Sequence, residues 1–154
     1  MKEQEWHKRV REELVEKHKK TGLRVEQSHG VNPNLELFRG NLGRANCLSD
    51  ADIVVFNSDG NIAKIIEIES EPNPKKILGV VIATHLCTLC KVSKKDKKEP
   101  PHQLANILLE IVYKKPKAKS KKADKLAVMY EPLLEMVKNS KGGCVSSFKW
   151  KPHE

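Results

Sequence analysis

Two apolar runs, Ile53-Val54-Val55-Phe56 and Ile62 to Ile68, flank the dipeptide Asp59-Gly60. Asp-Gly between such runs predicts a tight β-hairpin, because a type I′ turn needs positive φ at both central residues. With a two-residue loop there, Ser58 faces Asn61, Phe56 faces Ala63, Val54 faces Ile65 and Asp52 faces Glu67. Glu69 lies two residues further on and points to the same side as Glu67. Directly opposed side chains in such a pair have Cβ atoms about 5 Å apart, where like charges repel. A divalent cation turns that repulsion into a binding site, so Asp52, Glu67 and Glu69 are the candidate residues. In the same register Asp50 faces Glu69, as an auxiliary ligand or a solvated cap. The alternative is a sheet edge with solvated acids, balanced by Lys64 and nearby lysines.

The rest of the chain reads as alternating helices and strands. Trp6, Val10 and Leu14 recur at i, i+4, i+8 and predict an amphipathic helix over 3–20, with Gly22 as its stop. Residues 23–27 predict a short strand, followed by a polar, turn-rich connection through 32–34 and 39–43. After the hairpin, at about 51–69, Pro72 and Pro74 break the strand. A helix is predicted from Pro74, a residue suited to a first helical turn, toward Leu89. It is apolar nearly all round and therefore buried, although a strand also fits the pattern. Residues 91–101 predict a basic loop and 107–113 a fourth strand, with a helical period as the alternative for the latter. Residues 114–122 form a second basic run. Leu126, Tyr130, Leu133, Leu134 and Val137 predict a helix kinked or restarted at Pro132 and ended by Gly142-Gly143. A last strand is expected over 144–150.

At 154 residues the chain suits one domain, and its net charge of +9 favours a polyanionic partner such as nucleic acid or an anionic membrane. Lysine-rich surfaces also serve solubility. No apolar run approaches the roughly 20 residues that span a bilayer. The charged start, Met1 to Trp6, lacks the apolar core of a secretory signal, so a cytoplasmic location is expected. Four cysteines do not suggest a disulfide scaffold. His85, Cys87 and Cys90 suit zinc if Cys47 or Cys144 completes the set. The alternative is buried thiols packing as small hydrophobes. Lys94, Lys95, Lys97 and Lys98 in one basic run, and Lys115 and Lys117 in the other, flank the fourth strand. They are candidates for phosphate contacts, which give affinity and salt dependence without reading sequence. Otherwise they are a solvated surface.

The order helix, three strands, helix, strand, with Asp52 opening the second strand and Glu67-Ile68-Glu69 closing the third, resembles the restriction-endonuclease-like (PD-(D/E)xK) nuclease superfamily. That superfamily has an αβββαβ core, with an Asp at the start of the second strand and Glu-x-Lys on the third. Two departures stand out: Ala51 replaces the usual proline and Glu69 replaces the motif lysine. Some restriction enzymes also carry Glu-x-Glu. The resemblance covers about 3–113. It implies an α/β (α+β) fold with a mixed sheet flanked by helices, and a C-terminal helix-strand extension over 114–154, all in a single nuclease-like domain over 1–154. Lys75 or Lys76 would supply a displaced lysine, and Glu13 would join the site from the first helix. Glu3, Glu12 and Glu16 are its rivals, and pairing of Glu13 with Lys17 is the alternative.

Beside that resemblance stands the chemistry of the acids. Hydrolysis of a phosphodiester needs a water nucleophile, neutralisation of transition-state charge and help for the leaving oxygen. Mg²⁺ (or Mn²⁺) held by carboxylates supplies all three. Asp52, Glu67 and the Ile68 carbonyl are the expected ligands, with Glu69 orienting or deprotonating the water. The expected function is a metal-dependent deoxyribonuclease acting on DNA. The alternative is an inactive nucleic-acid-binding or assembly module of the same fold. A homodimer follows from the resemblance, with the tail after Gly142, including Phe148 and Trp150, as its contact.

Overall fold

In the computed structural model, which describes residues 2–28, 34–95, 97–118 and 120–154, Trp6, Val10 and Leu14 share the buried face of a helix, α1 (Lys2–Lys19). The chain continues through β1 (Val25–Gln27), β2 (Leu35–Phe38), a 3-10 turn (Arg44–Asn46), β3 (Cys47–Asp50), β4 (Ile53–Phe56) and β5 (Ile62–Glu69). Then come α2 (Pro74–Leu86), β6 (Leu89–Lys94), β7 (Lys97–Lys98), β8 (His102–Gln103), β9 (Ile107–Lys114), α3 (Lys121–Asn139) and β10 (Val145–His153).

One mixed sheet runs in the order β1-β4-β5-β9-β10. β1, β4 and β5 pair antiparallel, whereas β5 with β9 and β9 with β10 pair parallel. Because strand side chains alternate between faces, Ile53, Val55, Ile66, Ile68 and Val112 meet α1 on one face. Val54, Ile65, Leu109 and Ile111 share the opposite face with Ile77 and Val81 of α2 and Leu126, Leu133 and Val137 of α3. The architecture is therefore mixed α+β, a mixed sheet flanked by helices. A second sheet, β3-β2-β6-β7 with β8 on β6, adds Leu35, Leu37, Cys90 and Val92 to the second of these cores. Among the described residues, no helix is long and apolar enough to cross a membrane.

The hairpin register holds where it matters for the acids and slips near the turn. Ile53 pairs with Ile66, Val54 with Ile65 and Val55 with Lys64, so one further step sets Asp52 against Glu67. Nearer the turn, Phe56 faces Ile62 instead of Ala63. The cause is Asn57, whose Oδ1 accepts from the N–H groups of both Asp59 and Asn61 at 3.0 Å. These bonds favour a longer loop in which Gly60 (φ +81°) alone takes the left-handed conformation. Asp59 therefore does not form the type I′ turn.

Other elements differ from expectation. The connection between β1 and β4 contains β2 and β3. α2 stops at Leu86, and the supposed basic loop begins as β6. The 107–113 segment is a strand, with both neighbours parallel to it. α3 passes through Pro132 as one helix. The carbonyl that loses its donor there belongs to Val128, which is 76% exposed and open to water. Phe148 is buried, and the half-buried Trp150 packs edge-on against Tyr113 and Tyr130, so both rings contribute to the chain's own core.

Candidate metal centre

The acids collect where β5 ends and β4 begins. Asp52 is fixed on two sides: its carbonyl accepts from the Ser28 N–H (2.7 Å) and its Oδ2 from the Ile68 N–H (2.8 Å). Its Oδ1 lies 3.3 Å from His7 Nε2, on α1. Glu69 is buried, and its Oε1 accepts from Lys76 Nζ (2.8 Å) and the Glu71 N–H (3.1 Å). Lys76 stands in the first turn of α2, where Pro74 opens the helix and Asn73 caps it by accepting from the Lys76 N–H at 2.9 Å.

Glu67 lies between these two residues and differs from both. Its Oε1 is sealed from solvent and has no hydrogen-bond partner. Burial first, then the charge of Asp52 and a side-chain hydrogen bond with it, then Asp50 and Glu69, hold its pKa well above the ordinary value of 4.5. No cation of the fold faces it among the described ion pairs.

Next to this group, Glu36 on β2 pairs with Asp50 on β3. Burial, and then Glu36, raise the pKa of Asp50, against the pull of Arg44. Arg44 Nη1 holds Glu36 Oε2 at 2.6 Å. The ligand atoms of Glu36, Cys47 and Asp50 lie within 4.8 Å of one another, an arrangement that can hold a metal ion. Asp52, Glu67 and Glu69 do not converge as closely as a trio. Asp52 is turned toward Ile68 and His7, and Glu69 is drawn to Lys76.

The remaining candidates divide. Of the two lysines, Lys76 reaches Glu69, while Lys75 is exposed. Glu13 is not at the site: it pairs with His153 (3.2 Å) and Arg9 (3.7 Å), because its position on α1 faces the end of β10. Lys17 is not its partner. Glu12 pairs with Lys8, Glu16 is exposed, and the Glu3 side chain lies outside the described residues. Ile68 contributes its N–H to Asp52.

Lys94 is tied to Glu26 at 2.6 Å and Lys115 to Glu154 at 3.0 Å, while Lys95 and Lys117 are exposed. The side chains of Lys97 and Lys98 lie outside the described residues. Lys115 and Lys117 follow β9, whose Tyr113 pairs with Glu69, so this run leaves the sheet at the acidic end.

The cysteines near His85 serve the core. Cys87 Sγ donates to the Ala83 carbonyl and Cys144 Sγ to the Thr84 carbonyl, both at 3.1 Å. Burial pushes the thiols of Cys87 and Cys90 up to about 12 and Cys144 up to about 11. His85 Nδ1 accepts from the Val145 N–H. Among the described residues, the ligand atoms of His85, Cys87, Cys90 and Cys144 do not gather within 4.8 Å of one another, the spacing a shared metal ion needs.

His7 and Glu36 escape a reading of the sequence. Glu36 leaves one usable signal, a single acid inside an apolar run of four. His7 leaves none. No family model matches the chain, and neither a curated protein nor a solved structure matches it.

Proposed function

We propose that the chain is a metal-dependent nuclease of the restriction-endonuclease-like type, which hydrolyses DNA phosphodiester bonds at Asp52, Glu67 and Glu69 within a single domain over 1–154. The observation that carries this reading is the sealed, unpartnered Oε1 of Glu67 among three other carboxylates. An ionised carboxylate in that setting is costly unless a proton shared with Asp52, or a cation, completes it, and a cation would let both acids stay charged. The order α1, β1, β4, β5, α2, β9 supports it. That order follows the superfamily's helix, three strands, helix and strand, with β2 and β3 inserted before β4, β6, β7 and β8 inserted between α2 and β9, and α3 and β10 appended.

The oxygen donors suit Mg²⁺ or Mn²⁺, which when bound lowers the pKa of a coordinated water and neutralises charge on the phosphate. Asp52 and Glu67 would hold it. Glu69, kept in place by Lys76, takes the proton of the attacking water. Lys76 also brings positive charge to the place where phosphate oxygens gather, which offsets the substitution of Glu69 for the motif lysine.

The test is duplex DNA at low salt with Mg²⁺ or Mn²⁺. Cleavage or nicking is expected, and EDTA stops it. Asp52→Ala and Glu67→Ala abolish cleavage while DNA binding holds or improves, since an acid that repels phosphate is gone. If Asp52→Ala changes neither metal binding nor cleavage, the nuclease reading falls. The second reading then stands, a non-catalytic nucleic-acid-binding module, favoured by Glu69 at the lysine position.

A further inference from the structure

We infer that the open groove between the first turns of α2 and α3 receives an unpaired nucleobase of the strand held at the acids, so that the substrate is DNA with unpaired nucleotides beside the bond to be cut. The inference deepens the nuclease reading above by naming the form of DNA, and it rests on that reading for the position of the cut.

The groove has a volume of about 360 Å³ and is lined by Pro74, Asp124, Lys125, Val128 and Met129. That lies at the small end of ligand pockets, which run from about 300 to 1,000 Å³. Its floor is apolar: Val128 is 76% exposed there, and Pro74 and Met129 are half-buried. The chain's own packing does not call for Val128. It belongs to neither core, and a β-branched residue on an open helix face disfavours the helix. Pro132 also leaves the Val128 carbonyl without its helical donor. A free acceptor thus belongs to the same residue as the apolar floor, and Asp124 adds a second acceptor at the rim. The exocyclic amines of bases supply donors for both.

The surroundings fit a nucleotide rather than a neutral ligand. Lys121, Lys125 and Val128 share one face of α3 at i, i+4 and i+7, and Lys75 follows Pro74 on α2. All three lysines are exposed, and none is in a described ion pair. Cations around an apolar floor suit a base whose flanking phosphates are gripped from the rim. The groove also adjoins the acids. Pro74 opens the turn that carries Lys76, and Lys76 Nζ holds Glu69 Oε1 at 2.8 Å. A base on this floor therefore belongs to a nucleotide close to the phosphate at Asp52, Glu67 and Glu69. Bases stacked inside a duplex cannot reach it; only an unpaired or flipped one fits.

The experiment measures binding of the full chain by fluorescence anisotropy, in EDTA and low salt, to an oligodeoxycytidylate, an abasic strand of the same length and a duplex. EDTA keeps cleavage out of the readout. The wild type should hold the oligodeoxycytidylate about 5–10-fold more tightly than the abasic strand, the lower end of what one base contact supplies. Val128→Ser should erase that preference while leaving abasic and duplex binding unchanged. A Lys121→Gln, Lys125→Gln double variant should weaken both single strands alike and flatten their salt dependence by about 0.7 of a log-log unit per lost contact.

Equal binding of the two single strands by the wild type, or a preference that survives Val128→Ser, overturns the role of the groove. So does a wild type that sediments as a dimer when Val128→Ser does not, since a second copy then covers the floor. Cleavage with Mg²⁺ or Mn²⁺ is scored separately. A protein that cleaves DNA without the base preference loses this inference and keeps the nuclease reading. One that shows the preference in EDTA yet never cleaves keeps the groove and loses the nuclease.

Discussion

Glu67, half-buried with its Oε1 sealed, and Glu110, fully buried, are glutamates on neighbouring strands of one sheet, and they meet opposite fates. Ile66 pairs with Glu110 and Glu67 with Ile111, so the two acids project from opposite faces. The Glu110 side chain is 3% exposed, with Lys64 Nζ at 3.3 Å and Lys151 Nζ at 3.4 Å. Burial pushes its pKa up, but the two lysines more than reverse this and hold it below the ordinary carboxylate value. Burial pushes Glu67 up as well, and there the neighbouring charges of Asp52, Asp50 and Glu69 push the same way. Burial alone therefore does not mark a functional acid. What separates the two is whether the fold supplies the counter-charge. Around Glu110 it does; around Glu67 it supplies more acid.

The largest effect should come from removing the lysines of Glu110. A Lys64→Met, Lys151→Met double variant strands a buried carboxylate and should lose about 3–5 kcal/mol of stability in urea unfolding. Glu110→Gln should lose less, because Lys64 and Lys151, 23% and 49% exposed, can turn to water. A double variant as stable as the wild type would mean that Glu110 is not held by its lysines, and the contrast with Glu67 would vanish.

A smaller effect is expected on the opposite face. Mg²⁺ or Mn²⁺ at about 100 times its Kd should stabilise the wild type by about 2.7 kcal/mol, since it binds only the folded state. Glu110→Gln should keep that gain and Glu67→Gln should lose most of it. Chemical denaturation with metal and with EDTA measures both. Equal gains in the two variants would place the metal elsewhere, with Glu36, Cys47 and Asp50 as the next set to mutate.

This contrast was only half legible in the sequence. The register that sets Asp52 against Glu67 follows from the apolar runs around Asp59-Gly60, and it survives the slip at Phe56 because the slip lies on the turn side of Val55. The faces of α1 and α3 and the start of α2 at Pro74 follow from periodicity and proline. β2 and β6 do not, since four residues (Leu35–Phe38) and a lysine-bearing strand (Leu89–Lys94) are stabilised by pairing with each other rather than by any local pattern. Lys76 stands close enough to Glu69 in the chain to be named from sequence. His7 is forty-five residues from Asp52, and only the packing of α1 on the sheet brings them together. Glu110 leaves a faint trace as the lone acid in an apolar strand, but its lysines come from β5 and β10, which the sequence does not reveal as its neighbours.

The smallest effect carries the sharpest sign. In EDTA, Glu67→Gln should stabilise the protein by about 0.2–1 kcal/mol, by relieving opposed like charges. The gain must depend on pH. Glu67 holds its proton more tightly when folded than when unfolded, so its charge costs nothing below its ordinary value of 4.5. The cost grows as pH rises from there and is complete only above its raised folded pKa. Glu110 runs the other way. Its pKa is depressed, so its contribution is present above 4.5 and is lost as pH falls through the folded value. Unfolding free energies at pH 4 and pH 8 should therefore show Glu67→Gln equal to the wild type at the lower pH and more stable at the higher. Glu110→Gln should show its deficit at pH 8 and a smaller one at pH 4. Adding metal at pH 8 should reverse the order for Glu67→Gln alone, because the cation then makes the carboxylate the favoured group. A Glu67→Gln gain that is the same at both pH values would mean that the acid is not strained by its neighbours, and the case for a cation beside it would fail.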